Sequence, residues 1–266
     1  GDVYLAFQPA EETGAGAPAF MKFGDWFEKV DAIFGGHVWI DLPAGLISVE
    51  AGPRMAASSK ITINVKGKQG HGAQPHQAVD AIVVASAIVM NLQTVVSRNV
   101  SALDSLVITI GNIHSGSEWN VIPGEAQMGG TIRFFDPDKE EYYVDSIRRV
   151  VEHTALAYGA TAELIYERKV PATINDAAAS ELAERVVIDT LGKEKLSKMR
   201  QVMPGEDFAW YLQEKPGCFA FIGIQNPEVD ATFDHHNNRF TMDDSVLSAA
   251  SAVYAEYAIQ WLKVHK

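Results

Sequence analysis

Lys60-Ile61-Thr62-Ile63-Asn64-Val65-Lys66 alternates apolar and polar side chains, the period of a strand with one buried face. Outward from it, Val79–Val96 reads as a long apolar helix and Leu106–Ile110 and Gln127–Phe135 as strands. Glu140–Tyr158 follows as an amphipathic helix, and Thr161–Val170 closes the set as a strand. The order β-α-β-β-α-β is that of a ferredoxin-like split βαβ sandwich, here in roughly 110 residues, enough to fold as a unit. The flanks have another texture. Val3-Tyr4-Leu5-Ala6-Phe7 reads as an apolar strand, Ala17–Phe23 as a helix, and Ala32–Phe34 as a strand running into Gly35-Gly36-His37. Beyond Pro171 come a helix over Ala177–Leu191, another starting near Glu206, a strand over Phe219–Ile222 and a last helix over Ser245–Val264. Asp243-Asp244 precede that helix, where acidic groups suit a helix amino end. The expected plan is a discontinuous α/β domain, residues 1–56 and 173–266, interrupted by a ferredoxin-like α+β domain over residues 57–172.

The 266 residues are 47% hydrophobic and 21% charged, with a formal charge of −12, as expected of a globular protein with a sizeable core. That charge argues against nucleic acid or an anionic membrane as partner. No stretch reads as a membrane span. The single cysteine, Cys218, sits in the apolar run Cys218–Ile222; it excludes an internal disulfide framework and fits a reducing cytoplasm. Gly1-Asp2 opens directly on an apolar run with no initiator Met, so a preceding segment is expected.

Glu11 and Glu12 follow the first apolar run through the turn Gln8-Pro9-Ala10. A strand ending in such a turn puts side chains at a sheet's carboxyl edge, where open α/β folds bind ligands. Adjacent carboxylates can divide two tasks, one ligating a metal and one moving protons beside it; an acidic turn in solvent is the plain alternative. His37 follows two glycines, and His235-His236 lie in the polar loop Asp234–Asn238. With Glu12 they offer a carboxylate and imidazoles, a set that suits Zn, Mn or Co better than Ca or Mg. His71 stands between Gly70 and Gly72, where a substrate can approach its ring, although a tight turn explains it equally. Asn120 can donate to an oxygen. Arg133 can clamp a carboxylate or serve as a strand-edge salt-bridge partner. His114, His153 and His265 read as surface or packing residues, and His76 as a cap for the helix starting near Ala78.

Seven segments occur in a fixed order: Phe7–Glu12, Gly36-His37-Val38, Gly70–His76, Asn120–Pro123, Gly130–Arg133, Gly205-Glu206-Asp207-Phe208 and His236–Phe240. In them the chain resembles the metal-dependent amidohydrolases that include hippurate hydrolase, N-acyl-L-amino-acid amidohydrolase, N-acetyldiaminopimelate deacetylase and the auxin-conjugate hydrolases. The resemblance covers essentially the whole chain. It implies a catalytic α/β domain with two divalent ions (Zn, Mn, Co or Ni), an inserted ferredoxin-like lid through which the protein forms a homodimer, and a small N-acyl amino acid as substrate. By the same resemblance Glu11 is the general base, and Glu12, His37 and His236 are metal ligands. His236 is preferred to His235 because the family's histidine lies four residues before an aromatic, here Phe240. His71 is the lid histidine that polarises the scissile carbonyl, often in the partner subunit's site. Asn120 and Arg133 contact the substrate's carboxylate end, and Glu206 belongs to a loop lining the acyl pocket.

The family also carries a Cys-x-His or Asp-type ligand pair upstream of the Gln-Pro-Ala-Glu-Glu turn, and this chain has no counterpart. Three of five ligands remain, so one ion or none is expected in the chain as it stands. The alternative function is a non-catalytic fragment that keeps dimerisation and partial ligand binding.

Overall fold

The computed structural model describes residues 1–265. The strands are β1 (Ile33–Pro43), β2 (Ile47–Ser48), β3 (Gly52–Met55), β4 (Ala57–Lys66), β5 (Gly70–His71), β6 (Leu106–Ser115), β7 (Val121–Ile122), β8 (Glu125–Phe134), β9 (Thr161–Val170), β10 (Thr173–Asn175) and β11 (Gly217–Gln225). The α-helices are α1 (Gly16–Met21), α2 (Trp26–Lys29), α3 (Ala81–Thr94), α4 (Glu140–Ala157), α5 (Ala177–Leu191), α6 (Ala209–Glu214) and α7 (Leu247–Val264). The chain divides into two compact units, Gly1–Met55 with Thr173–Lys266, and Ala56–Ala172. The fold is mixed α/β.

In the first unit β11 is the central strand, parallel to β1 and antiparallel to β2. Its residues Gly217–Ile224 are all buried, as expected of a strand covered on both faces. Alternation sorts them. Cys218 and Ala220 pack with Ala179, Ala183 and Val187 of α5 and Val253 and Tyr257 of α7, while Phe219 and Phe221 pack with Trp39, Leu42 and Met55. Asp176 starts α5 by accepting the Ala179 N–H at 2.8 Å. Asp243 likewise accepts the Ser245 N–H at the turn leading into α7.

The second unit is a four-stranded antiparallel sheet in the order β6-β8-β4-β9. The alternation in β4 has its expected result: Ile61, Ile63 and Val65 are buried, and Lys60 and Lys66 are exposed. α3 contributes buried Ala81, Val84, Ala85, Ile88 and Leu92, and α4 contributes Tyr143, Ile147, Val151 and Ala155. These stripes at helical spacing make the core of the unit.

Four expectations are corrected. Val3–Phe7 forms no strand; among the described residues none precedes Ile33, and without a ladder partner Leu5 and Phe7 are 79% and 84% exposed. The helix expected near Glu206 starts at Ala209. His76 lies in a 3-10 turn and caps nothing: Asp80 caps α3, accepting from the N–H groups of Ile82 and Val83 at 2.9 and 3.3 Å. One helical stretch, Ala81–Asn99, is long and apolar enough to cross a membrane, with a mean hydropathy of 1.5. Its buried stripe marks it as a core helix of this unit.

Removing the α3 cap tests this assignment. Asp80→Ala is expected to lower stability by about 1 kcal/mol in urea unfolding, whereas His76→Ala stays within about 0.5 kcal/mol of the parent.

Candidate active site

The turn after Gln8 puts Ala10 in the left-handed region, with φ 63°. An alanine there costs about 1–2 kcal/mol relative to ordinary backbone. The Thr13 hydroxyl and N–H, both donating to the Ala10 carbonyl at 2.8 and 3.3 Å, hold it in place. The 3-10 turn Glu11–Thr13 follows at once, and its two acids diverge. Glu11 is half-buried, with the Asp207 backbone N–H favouring its charged form; Glu12 is exposed, with Oε2 3.7 Å from His236 Nε2. His236 is also left-handed, with φ 62°. Its loop is laced by Asn237, whose N–H donates to Asp234 and whose side chain accepts the Arg239 N–H. The Arg239 guanidinium lies 3.8 Å over the Phe233 ring.

His37 comes from the middle of β1. Its Nδ1 is 2.5 Å from the Val38 carbonyl oxygen. A carbonyl only accepts, so Nδ1 carries the proton and Nε2 keeps a lone pair for a ligand. His235 Nε2 donates to the same oxygen at 2.9 Å, and His235 Nδ1 lies 3.4 Å from Asp234 Oδ1. His235 is therefore tied to Val38 through Nε2, with Nδ1 beside the Asp234 side chain. The ring packs 5.2 Å from His37 and 4.9 Å from Trp39, as a prop rather than a free donor. Burial lowers the His37 pKa; the bond to Val38 works the other way, and the charges of Glu12 and His236 also reach the ring.

Behind Glu11 lies a carboxylate cluster. One ligand atom each from Glu11, Glu206 and Asp207 falls within 4.8 Å of the others. Gly35 makes this approach possible, because a β-carbon there would sit 2.4 Å from the Phe208 ring. Glu206 is 5% exposed, accepts the Phe208 N–H at 3.0 Å, and is pushed up to about 7 by burial, with Glu11 and Asp207 adding to the shift. Burial, then Glu12 and Asp207, also raises Glu11. Glu12, His37 Nε2 and His236 Nε2 are oxygen and nitrogen donors of the kind that suits Zn, Mn or Co. Of these the structure brings Glu12 and His236 to 3.7 Å, while the group whose ligand atoms lie within 4.8 Å of one another is Glu11, Glu206 and Asp207. Acids so crowded gain from a positive charge beside them.

Glu11, Glu12, His37, His236 and Glu206 all lie in the first unit, where Glu12 meets His236 and Glu11 meets Glu206. His71, Asn120 and Arg133 belong to the second. His71 pairs with Val121 in the β5–β7 ladder, and just beyond it the Gly72 N–H donates to the Asn120 carbonyl at 2.9 Å. His71 Nδ1 accepts the Ala73 N–H at 3.0 Å, so the neutral ring presents Nε2–H outward as a donor. Arg133 lies on β8, in register with Ser58 and Val107.

Residues 1–260 match the model of peptidase family M20/M25/M40. The chain belongs to that family. It is 40% identical to N-acetylcysteine deacetylase of Bacillus subtilis (strain 168) over 100% of the chain and 68% of the relative. It is 36% identical to the IAA-amino acid hydrolase ILR1-like 4 of Arabidopsis thaliana, over 98% of the chain and 60% of the relative. Among solved structures, the YXEP protein of Bacillus subtilis, described as a dinuclear metal binding peptidase from the M20 family, superposes with a TM-score of 0.82 at 34% identity. That match covers 97% of this chain and 64% of YXEP. The M20 chain therefore spans between 60% and 68% of the length of these three proteins.

Residues around the M20 site to which the sequence reading assigns no role are Gln8, Asp207 and Tyr211; it weighs His235 and sets it aside in favour of His236. Gln8 and Asp207 lie inside segments already singled out, so proximity in the chain was a usable signal. Tyr211, two residues into α6, carried none.

The left-handed turn is testable. Ala10→Gly is expected to leave stability within about 1 kcal/mol of the parent or raise it slightly. Ala10→Val, β-branched at the same φ, is expected to lower it by about 2 kcal/mol or more, read by chemical denaturation.

Proposed function

We propose that this protein hydrolyses the amide bond of N-acyl amino acids with the help of divalent metal ions. The observation that carries the reading is the divergence of Glu11 and Glu12 from one turn, a half-buried acid standing directly behind a carboxylate that faces an imidazole. Glu12, His37 and His236 would hold metal, of the Zn, Mn, Co or Ni type. The ions supply Lewis acidity that acidifies water and polarises a carbonyl.

The chain's own residues do the rest. Glu11, its carboxyl raised by burial, takes the proton of the attacking water and returns it to the leaving nitrogen as the carbon–nitrogen bond breaks. His71, a neutral ring with Nε2–H outward, donates to the scissile carbonyl as negative charge builds on its oxygen. Arg133 and Asn120 orient the carboxylate of the amino acid, and Glu206 lines the acyl side. Support comes from the relatives, whose names are those of a deacetylase and an amino acid hydrolase. A dimerising remnant without chemistry is not favoured, since it needs neither the raised Glu11 nor the free His37 nitrogen.

The second unit we read as the ferredoxin-like lid and dimerisation domain of a homodimer. Strands in the order β6-β8-β4-β9 and exposed Ile82, Val83, Met90 and Ile113 on α3 and the edge strand β6 support this. The substrate is a small molecule, with neither nucleic acid nor membrane as partner, and the free buried Cys218 fits a cytoplasmic location.

Glu11→Gln is expected to keep metal content, by elemental analysis, while lowering kcat on N-acetyl amino acids by about 100-fold or more; near-parent turnover would remove Glu11 from the role of base. His236→Ala and His37→Ala are expected to lower metal content and turnover together. Mixed dimers of His71→Ala and Glu11→Gln subunits are expected to recover activity that neither parent homodimer has, if His71 serves the partner's site; equal inactivity would put its action within one subunit.

A further inference from the structure

We propose that Gln8, Asp207 and Tyr211 form a bracket that positions Glu11, a role that rests on reading Glu11 as the base. Asp207 is 1% exposed, and a carboxylate buried this deeply requires donors. Gln8 Nε2 lies 2.9 and 3.0 Å from its two oxygens, and the Ala17 N–H reaches Oδ2 at 2.9 Å. The other end of the Gln8 amide is fixed as well: Oε1 accepts the hydroxyl of Tyr211 at 2.5 Å, and Tyr211 is 2% exposed. With a carboxylate at its nitrogen and a hydroxyl at its oxygen, the amide has one orientation.

Gln8 stands three residues before Glu11, and a carboxylate oxygen of Asp207 lies within 4.8 Å of one of Glu11. Asp207 thus holds the turn through its side chain at Gln8 and stands beside the Glu11 carboxylate. Gly16 leaves the room for this grip. A β-carbon there would lie 2.2 Å from the Pro9 carbonyl oxygen and 2.7 Å from Gln8 Nε2. The amino end of α1 can therefore lie flush against the turn, with the Ala17 N–H directed at Asp207. Tyr211 is held by the ring cluster of Trp26, Phe27 and Phe208, which ties the bracket to a rigid part of the unit. None of the three belongs to the proposed ligand set Glu12, His37 and His236; they act through Glu11.

The test compares the parent with Gln8→Met, Asp207→Asn and the pair Gln8→Glu/Asp207→Asn. In the pair, donor and acceptor are exchanged. The introduced carboxylate at position 8 accepts from the introduced amide at position 207, which still accepts the Ala17 N–H, while the Tyr211 hydroxyl still donates to position 8. Crystal structures of the variants read the position of Glu11 without reference to activity. Kinetics on N-acetyl amino acids with Zn or Mn, alongside elemental analysis, read its consequence. The single variants are expected to displace the Glu11 carboxylate by about 1 Å and to lower kcat by about 10- to 100-fold. KM should stay within about threefold and metal content unchanged, and the pair should restore both position and kcat. Tyr211→Phe removes only one hydroxyl and carries the same readouts should Asp207→Asn fail to fold. Glu11 unmoved in the variants, or kcat falling only in step with metal loss, would overturn the bracket. Glu11 displaced in the variants of a parent without turnover would uphold the bracket and sink the hydrolytic reading instead.

Discussion

Like charges crowd where the Glu11–Thr13 turn meets the loop before α6. Glu11, Glu206 and Asp207 converge there with little water to share their charge, an arrangement that opposes folding unless fixed donors answer it. The donors are the Ala17 N–H and the Gln8 amide for Asp207 and the Phe208 N–H for Glu206. Ala17 and Gln8 are distant in sequence from Asp207, and their bonds set how those elements dock. The helix starting at Gly16 must point its amino end at Asp207, and Phe208 must lie flat on Gly35 of the central sheet. Burial, with the neighbouring acids adding to it, raises the carboxyls of Glu11 and Glu206 and makes the region receptive to a cation or a proton.

The imidazole side obeys a related economy. One carbonyl, that of Val38, receives both His37 and His235 and thereby sets two tautomers at once. His37 is left with its outward nitrogen deprotonated, whereas the Nε2 proton of His235 is committed to Val38. Two adjacent histidines in the loop Asp234–Asn238 consequently differ in what they can do: His235 braces the aromatic wall of Trp39 and Phe240, and His236, on a left-handed residue, faces Glu12. Ala10 and His236 together are an instance of strained backbone gathering at a site of proposed function.

Much of the architecture was legible in the chain. The alternation of Lys60–Lys66 places Ile61, Ile63 and Val65 inside because a strand's side chains point to opposite faces by geometry alone. Thr161–Val170 and Ala177–Leu191 form as read, since their patterns are long and their boundaries carry turn and capping residues. Short pairings such as β5 with β7 and β3 with β10 were invisible, because two- to four-residue strands are defined by partners and not by periodicity. The apolar run Val3–Phe7 misled for the same reason: strand composition without a neighbour makes no ladder.

By itself the sequence determined which residue types stand together on short loops, the Glu11-Glu12 pair, the glycine-flanked His37 and the His235-His236 pair, and it determined the alternation that builds both sheets. These are local properties, set by covalent order and by the periods of helix and strand. Only the tertiary structure decided that His236 and not His235 faces Glu12, that Asp207 rather than solvent receives Gln8, and which nitrogen of His37 stays free. Those outcomes depend on hydrogen bonds between groups up to about 200 residues apart, such as Gln8 with Asp207. Such bonds form only after the core has packed and water has been excluded from around them.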